Sequence, residues 1–168
     1  MTKKEKELID KLDIQEISFD LLLQQYPKGI LDNENHIRDE VKNAIATKNR
    51  LEIEYAISLV FLSRMNEKLI DIYNELVLVK EHRNHQELVW KIQQLKDPSS
   101  VPFLQKALAT GFDYLKYTCS DSDAIAKWFS HALFQIGTPE AIQVLKDFSL
   151  SEDEGISKEM KYRLAKVK

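Results

Sequence analysis

Apolar side chains recur along this chain at three- and four-residue spacing, the mark of helices that each bury one face. Leu8, Ile9 and Leu12 predict a short helix over 3–12, and Phe19, Leu22, Leu23 and Tyr26 a second over 18–26, opened by Ser18 and stopped by Pro27-Lys28-Gly29. Ile37, Val41, Ala44 and Ile45 share a stripe on a helix that opens at Asp32-Asn33 and closes near Thr47-Lys48-Asn49. The run 51–65 carries Tyr55, Ala56, Leu59, Val60 and Leu62 round more than one face, so it is expected to be the most buried helix. Asn66 is placed to cap the next, where Leu69, Ile72, Tyr73, Leu76 and Val79 form a wide apolar stripe ending close to residue 80.

A polar break, Glu81-His82-Arg83-Asn84, precedes a helix over 85–96 with Leu88, Val89, Ile92 and Leu95 inward. The following stretch holds one helix-start signal twice: Asp97-Pro98-Ser99-Ser100-Val101-Pro102-Phe103-Leu104, then Thr138-Pro139-Glu140-Ala141-Ile142-Gln143-Val144-Leu145. Asp or Thr accepts the free N–H groups of a first turn, and Pro in that turn gives up a donor that would have had no partner. Pro98 and Pro139 lie 41 positions apart, and the apolar pattern repeats with them, pairing Ile92 with Leu133, Leu95 with Ile136, Val101 with Ile142 and Leu104 with Leu145. Helices are therefore expected over 98–109 and 139–148. Between them, Ser120-Asp121-Ser122-Asp123 starts a helix with Ile125, Trp128, Phe129, Ala132, Leu133 and Ile136 on its core stripe, ended by Gly137. A last helix, opened by Ser151 with Glu154 or by the turn at Gly155, bears Met160, Leu164 and Val167.

Composition agrees with an all-helical chain. Only four glycines and four prolines punctuate 168 residues, and 43% of them are apolar, enough for one domain with a continuous core. The expected division is an N-terminal cap over 1–30, divergent helix pairs over 31–83, and regular pairs with a terminal helix over 84–168, about nine or ten helices in all. Basic and acidic residues are interspersed, for a net charge of −3, which is not the clustered basic surface that nucleic acid demands. The Lys/Arg-rich end (Lys158, Lys161, Arg163, Lys166, Lys168) is accounted for as a solvated helix C-terminus, where cations face the negative pole of the dipole. No apolar run approaches the roughly 20 residues of a membrane span, the charged N-terminus is unlike a signal peptide, and one cysteine excludes an intramolecular disulfide. A cytoplasmic protein with no membrane association is expected.

Few residues offer chemistry. His82 and His85 have the spacing of a metal pair, with Glu81 or Glu87 near, but a zinc site needs three or four ligands; ordinary surface histidines are expected. Asp121-Ser122-Asp123 opens like a calcium loop and then meets Ile125 and Ala126 where further ligands belong, so capping is the expected role. Cys119 and His131 are the one conceivable thiol and base, and no Gly-rich element flanks the cysteine. No catalytic residue, metal site or cofactor is expected. The surface left for function comprises outward positions on the second helix of each pair, Glu140, Gln143, Lys146 and Asp147 with Ser99, Gln105 and Lys106 as equivalents, and the long connection 110–121 with its flank, which offers Asp113, Tyr114, Tyr117, Asp121 and Asp123; of these, Gln105, Gln143, Asp147 and the five loop residues are the expected partner contacts. Aromatic anchors among acids suit a protein partner, preferentially a basic one; Phe112 and Tyr117 equally suit a purely structural role, pinning a long loop to the core.

The two Pro-bearing segments, with Phe134-Gln135-Ile136-Gly137 before the second, resemble HEAT repeats, especially the short bacterial type also found in phycobilisome lyases. The resemblance covers residues 84–149 and thins over 50–83. It implies a right-handed α-α superhelix of antiparallel helix pairs and leaves the function open, because such repeats serve as scaffolds, adaptors, inhibitors, toxin-immunity proteins and lyases. The resulting expectation is a non-enzymatic protein-binding module, most sharply an intracellular inhibitor or immunity protein against a basic toxin. A lyase-like protein handling a cofactor or small molecule, with a deep pocket near Cys119 and His131, and a structural adaptor subunit are the alternatives.

Overall fold

Ten α-helices and three 3-10 helices, with no strand among the described residues, make up the computed structural model, which describes residues 1–63 and 65–167. Arg64, at the end of the expected 51–65 helix, and Lys168, last of the basic C-terminal cluster, lie outside the described residues. The chain gathers into two compact units, Met1–Leu69 and Ile70–Lys168.

In the first unit, α1 (Lys3–Asp13) packs against α2 (Phe19–Gln25) and α4 (Arg50–Leu62), and α3 (Glu34–Thr47) packs against α4. Thr2 forms a reciprocal capping box with Glu5, and Asn33 and Asn49 cap α3 and α4 through their side chains. Helix α4 buries Ile53, Ala56, Ile57, Leu59, Val60 and Leu62, as its broad apolar surface predicts, and stops at Ser63. On α2 only Leu22 is buried, along with Tyr26 just beyond it, while Phe19, read from sequence as part of the stripe, is 46% exposed. A 3-10 turn over residues 66–69 closes the unit.

The second unit opens with a helix shorter than its pattern suggests: α5 runs only from Ile70 to Leu76, although the apolar spacing continues to Val79. Helix α6 (His85–Leu95) then packs against α5 and α8 (Ser122–Ile136), α8 packs against α10 (Glu154–Leu164), and α7 (Val101–Thr110) packs against α5 and α9 (Pro139–Phe148). Each helix thus meets the helix two further along, and α8 also touches α7 and α9.

Phe129, Leu133, Leu104, Leu145, Ile92 and Met160 are fully buried at these contacts. Gly155 shows how closely α10 approaches α8: a Cβ there would run into Ser122 Oγ and stand 2.6 Å from the Asp123 backbone nitrogen. The two helices therefore begin at the same end. Gly155 is not a turn residue; Asp153 caps α10, its carboxylate accepting the Ile156 N–H at 3.0 Å.

The two Pro-bearing helix starts differ in detail. Thr138 accepts the Ala141 N–H and α9 starts directly at Pro139. After Asp97, whose carboxylate accepts the Ser99 N–H at 2.8 Å, Pro98–Ser100 wind as a 3-10 turn and α7 begins only at Val101. Pro102 supplies the reason: it has no N–H to close an α-helical bond to the Pro98 carbonyl, and the Val101 N–H takes that carbonyl instead.

Candidate functional site

Helices α7 and α9 run side by side and leave an open groove of about 470 Å³, lined by Pro98, Val101, Pro102 and Gln105 on the α7 side and by Thr138, Glu140, Gln143, Val144 and Asp147 on the α9 side. The matching start signals put corresponding positions of each helix on one surface, so Gln105, Gln143 and Asp147, expected from sequence to face outward, come together here. Glu140, also expected outward, joins them, whereas Lys146, Ser99 and Lys106 do not line the groove. The floor is apolar, from the two prolines and two valines. Among the described residues the rim holds two carboxylates and no cation, and Gln143 Nε2 donates to Asp147 Oδ1 at 2.7 Å, fixing that carboxylate one turn away.

The connecting loop is occupied largely with the protein itself. Residues Asp113–Thr118 form a 3-10 helix. Phe112 stacks on buried Phe129, with ring centroids 5.6 Å apart. The Tyr117 hydroxyl bonds His85 Nδ1 at 3.0 Å, and Tyr114 sets its ring edgewise to His85 at 5.1 Å. Burial pushes the Tyr114 hydroxyl up to about 12, so it stays neutral. Asp113 pairs with Lys116 at 2.9 Å in full solvent, and Asp123 lies 3.6 Å from Lys158. Asp121 stands at the N-cap position of α8 but makes no side-chain cap bond, so the capping role expected of it is not performed. None of these loop residues lines the α7/α9 groove. The sequence-predicted surface is two separate places.

His82 and His85 correct the reading of them as surface residues: both are buried. His82 Nε2 lies 2.9 Å from the Leu76 carbonyl, and its Nδ1 receives the Asn84 N–H at 3.1 Å. His85 Nε2 lies 2.8 Å from the Val79 carbonyl. A carbonyl can only accept and a backbone N–H can only donate, so His82 is neutral with its proton on Nε2, and His85 likewise donates from Nε2. The chain leaves α5 through turns in which the Leu76 carbonyl takes the Val79 N–H at 3.0 Å, and the two imidazoles bond the Leu76 and Val79 carbonyls of that exit. Burial is the main force lowering both, His85 to about 3 with the neighbouring His82 adding to it. Among the described residues no group of three or more His, Cys, Asp or Glu side chains could hold a metal.

Cys119 is exposed at the end of the 3-10 helix with a left-handed backbone, φ 52°. His131 sits elsewhere, in a cleft between α8 and α10 whose lining does not include Cys119. The thiol and base expected of a lyase-like pocket are not brought together.

The C-terminal basic cluster is also more than a solvated helix end. Arg163 is 4% exposed, holds Glu159 at 2.8 Å and approaches Ser130 Oγ at 3.3 Å, while Ser130 donates to Glu159 at 2.7 Å. Lys158, Arg163 and Lys166 face Lys127 and His131 of α8 across the cleft. No helix among the described residues is long and apolar enough to cross a membrane. In comparisons with protein-family models, curated proteins and solved structures, the chain matched none.

Proposed function

We propose that this chain is a HEAT-type helical-repeat module that binds another protein, without catalysis, through the α7/α9 groove, and that its partner presents a basic, partly apolar segment. One observation carries the reading: the groove joins an apolar floor to a rim bearing Glu140 and Asp147, with no lysine or arginine among the described residues of its lining. The 41-residue spacing of Pro98 and Pro139 and the pairing of each helix with the second helix onward support a superhelix of repeated units. An intracellular inhibitor or immunity protein against a basic toxin is the role this surface suits best. The loop acids contribute less, because Asp113 and Asp123 already face lysines.

The test is an NMR titration of the 15N-labelled chain with a lysine- and leucine-rich peptide, beside an acidic peptide of equal length. Shifts at Gln105, Glu140, Gln143 and Asp147 with the basic peptide alone, abolished by Glu140→Lys with Asp147→Lys, are expected. Equal response to both peptides, or shifts confined to other surfaces, would overturn the groove as the binding site.

A further inference from the structure

The cleft between α8 and α10 is a second, oppositely charged cavity, and nothing in the protein-binding role uses it. Its volume is about 520 Å³, and Lys127 and His131 of α8 face Lys158 and Arg163 of α10, with Lys166 just past its C-terminus, across it. The acids in its wall are already engaged: Glu159 with Arg163 and Ser130, Asp123 with Lys158. With histidine neutral, four cations stand against two carboxylates among the described residues of its lining, a local excess of two positive charges in a chain whose net charge is −3. The excess is felt inside the cleft. After burial, the Arg163 charge is the next largest influence lowering His131; Glu159 opposes it, and Lys127 and Lys166 add to the lowering, while Lys166, hydrogen-bonded at 2.7 Å, lowers the Tyr162 hydroxyl.

The cleft does not end at α8. Lys127 and His131 also line a groove of about 270 Å³ on the α6 side, whose other walls are Trp90, Trp128, Gln86 and Gln93. Trp90 is 53% exposed, an unusual amount of aromatic surface to leave in water, and Trp128 is half-buried although its spacing places it on the core stripe. One pair of side chains thus forms the shared wall between a cationic compartment and an aromatic one. Indole faces stack on flat rings, and clustered ammonium and guanidinium groups take phosphate oxygens. A ligand that fills both compartments joins a planar ring to a charged phosphate chain.

We infer that this face binds a small molecule of the nucleoside diphosphate class, with its phosphates among Lys127, Lys158, Arg163 and Lys166 and its base against Trp90 and Trp128. Arg163 is held by Glu159 and Ser130, so its guanidinium is fixed before the ligand arrives, whereas Lys127 and Lys166 are exposed and can swing over it.

The test is calorimetric titration of the full chain at 100 mM salt with ADP, pyrophosphate and adenosine. ADP is expected to bind at least tenfold more tightly than either fragment. Lys127→Gln and Lys166→Gln, both at exposed positions, should each weaken ADP and pyrophosphate about fivefold or more; Trp90→Ala should weaken ADP while leaving pyrophosphate unchanged. His131 ring resonances followed by NMR should show its titration moving to higher pH when ADP is present, because an anion favours the imidazolium. Pyrophosphate binding as tightly as ADP, or ADP binding unaffected by Trp90→Ala, would overturn the two-compartment assignment, and no binding of any of the three would overturn the site.

Discussion

The rings of His82 and His85 stack with centroids 3.9 Å apart and planes 19° from parallel, and each donates to a backbone carbonyl six residues before it. Two protonated imidazoles could not share that geometry. Their burial makes neutrality a condition of the fold.

Acid should therefore unfold this unit early. The folded pKa of His85 is lowered to about 3 from 6.5, so the unfolded chain takes up a proton that the folded chain refuses. The stability contribution is complete above pH 6.5 and is lost as pH falls from there toward 3, at about 1.4 kcal/mol per pH unit from His85. His82, lowered in the same direction, adds to the loss. Urea melts between pH 7.5 and 4.5 should show the slope, and His85→Gln with His82→Gln should flatten it while lowering stability at pH 7.5.

At Gly155, adding a methyl group should destabilise the protein. In an unobstructed helix Gly→Ala is worth roughly 0.5–1 kcal/mol of stabilisation. Here the Cβ meets the Ser122 side chain and the Asp123 backbone, so Gly155→Ala is expected to cost about 1–3 kcal/mol. Thermal denaturation decides the sign.

Removing one partner of the Ser130, Glu159 and Arg163 network should hurt more than removing both charges. Arg163→Met leaves a buried carboxylate without its cation, expected to cost about 3–5 kcal/mol. The double variant Arg163→Met with Glu159→Leu should recover a large part of that loss in the same denaturant titration.

The helix starts give a matched pair of small substitutions. Thr138→Ala removes an acceptor from the Ala141 N–H and should cost about 1 kcal/mol, and Asp97→Ala, which frees the Ser99 N–H, a similar amount. Asp121→Ala removes no cap bond, and should change the unfolding midpoint by less than either.

The helical pattern was legible because it is local. Stripes such as Ile37, Val41 and Ala44 and stops such as Gly137 depend on neighbours within a turn or two, and the structure keeps them. The groove was half legible for the same reason: Gln105, Gln143 and Asp147 stand on helices whose start signals repeat, so their shared face follows from phase. What escaped depends on distant partners. Nothing near Asp123 in sequence announces Lys158, and nothing near Arg163 announces the Ser130 hydroxyl that helps bury it. The histidines lay between these cases, since a six-residue reach back to a carbonyl at or just past a helix end is local but belongs to no apolar period. Trp128 stayed half-buried because its stripe position turns toward the Trp90 groove instead of the interior.

Pro102 carries a consequence for anyone wishing to extend this protein. A 3-10 turn rises about 2.0 Å per residue against 1.5 Å in an α-helix, so the three residues Pro98–Ser100 lengthen the approach to α7 by about 1.5 Å relative to the start of α9. Segments 97–110 and 138–148, similar as they read, are not interchangeable: a graft of one into the place of the other would shift each inward side chain along its axis. A tandem array should be copied from the Thr138 start, whose first turn is regular, with the Pro102 segment kept as a single, site-specific piece.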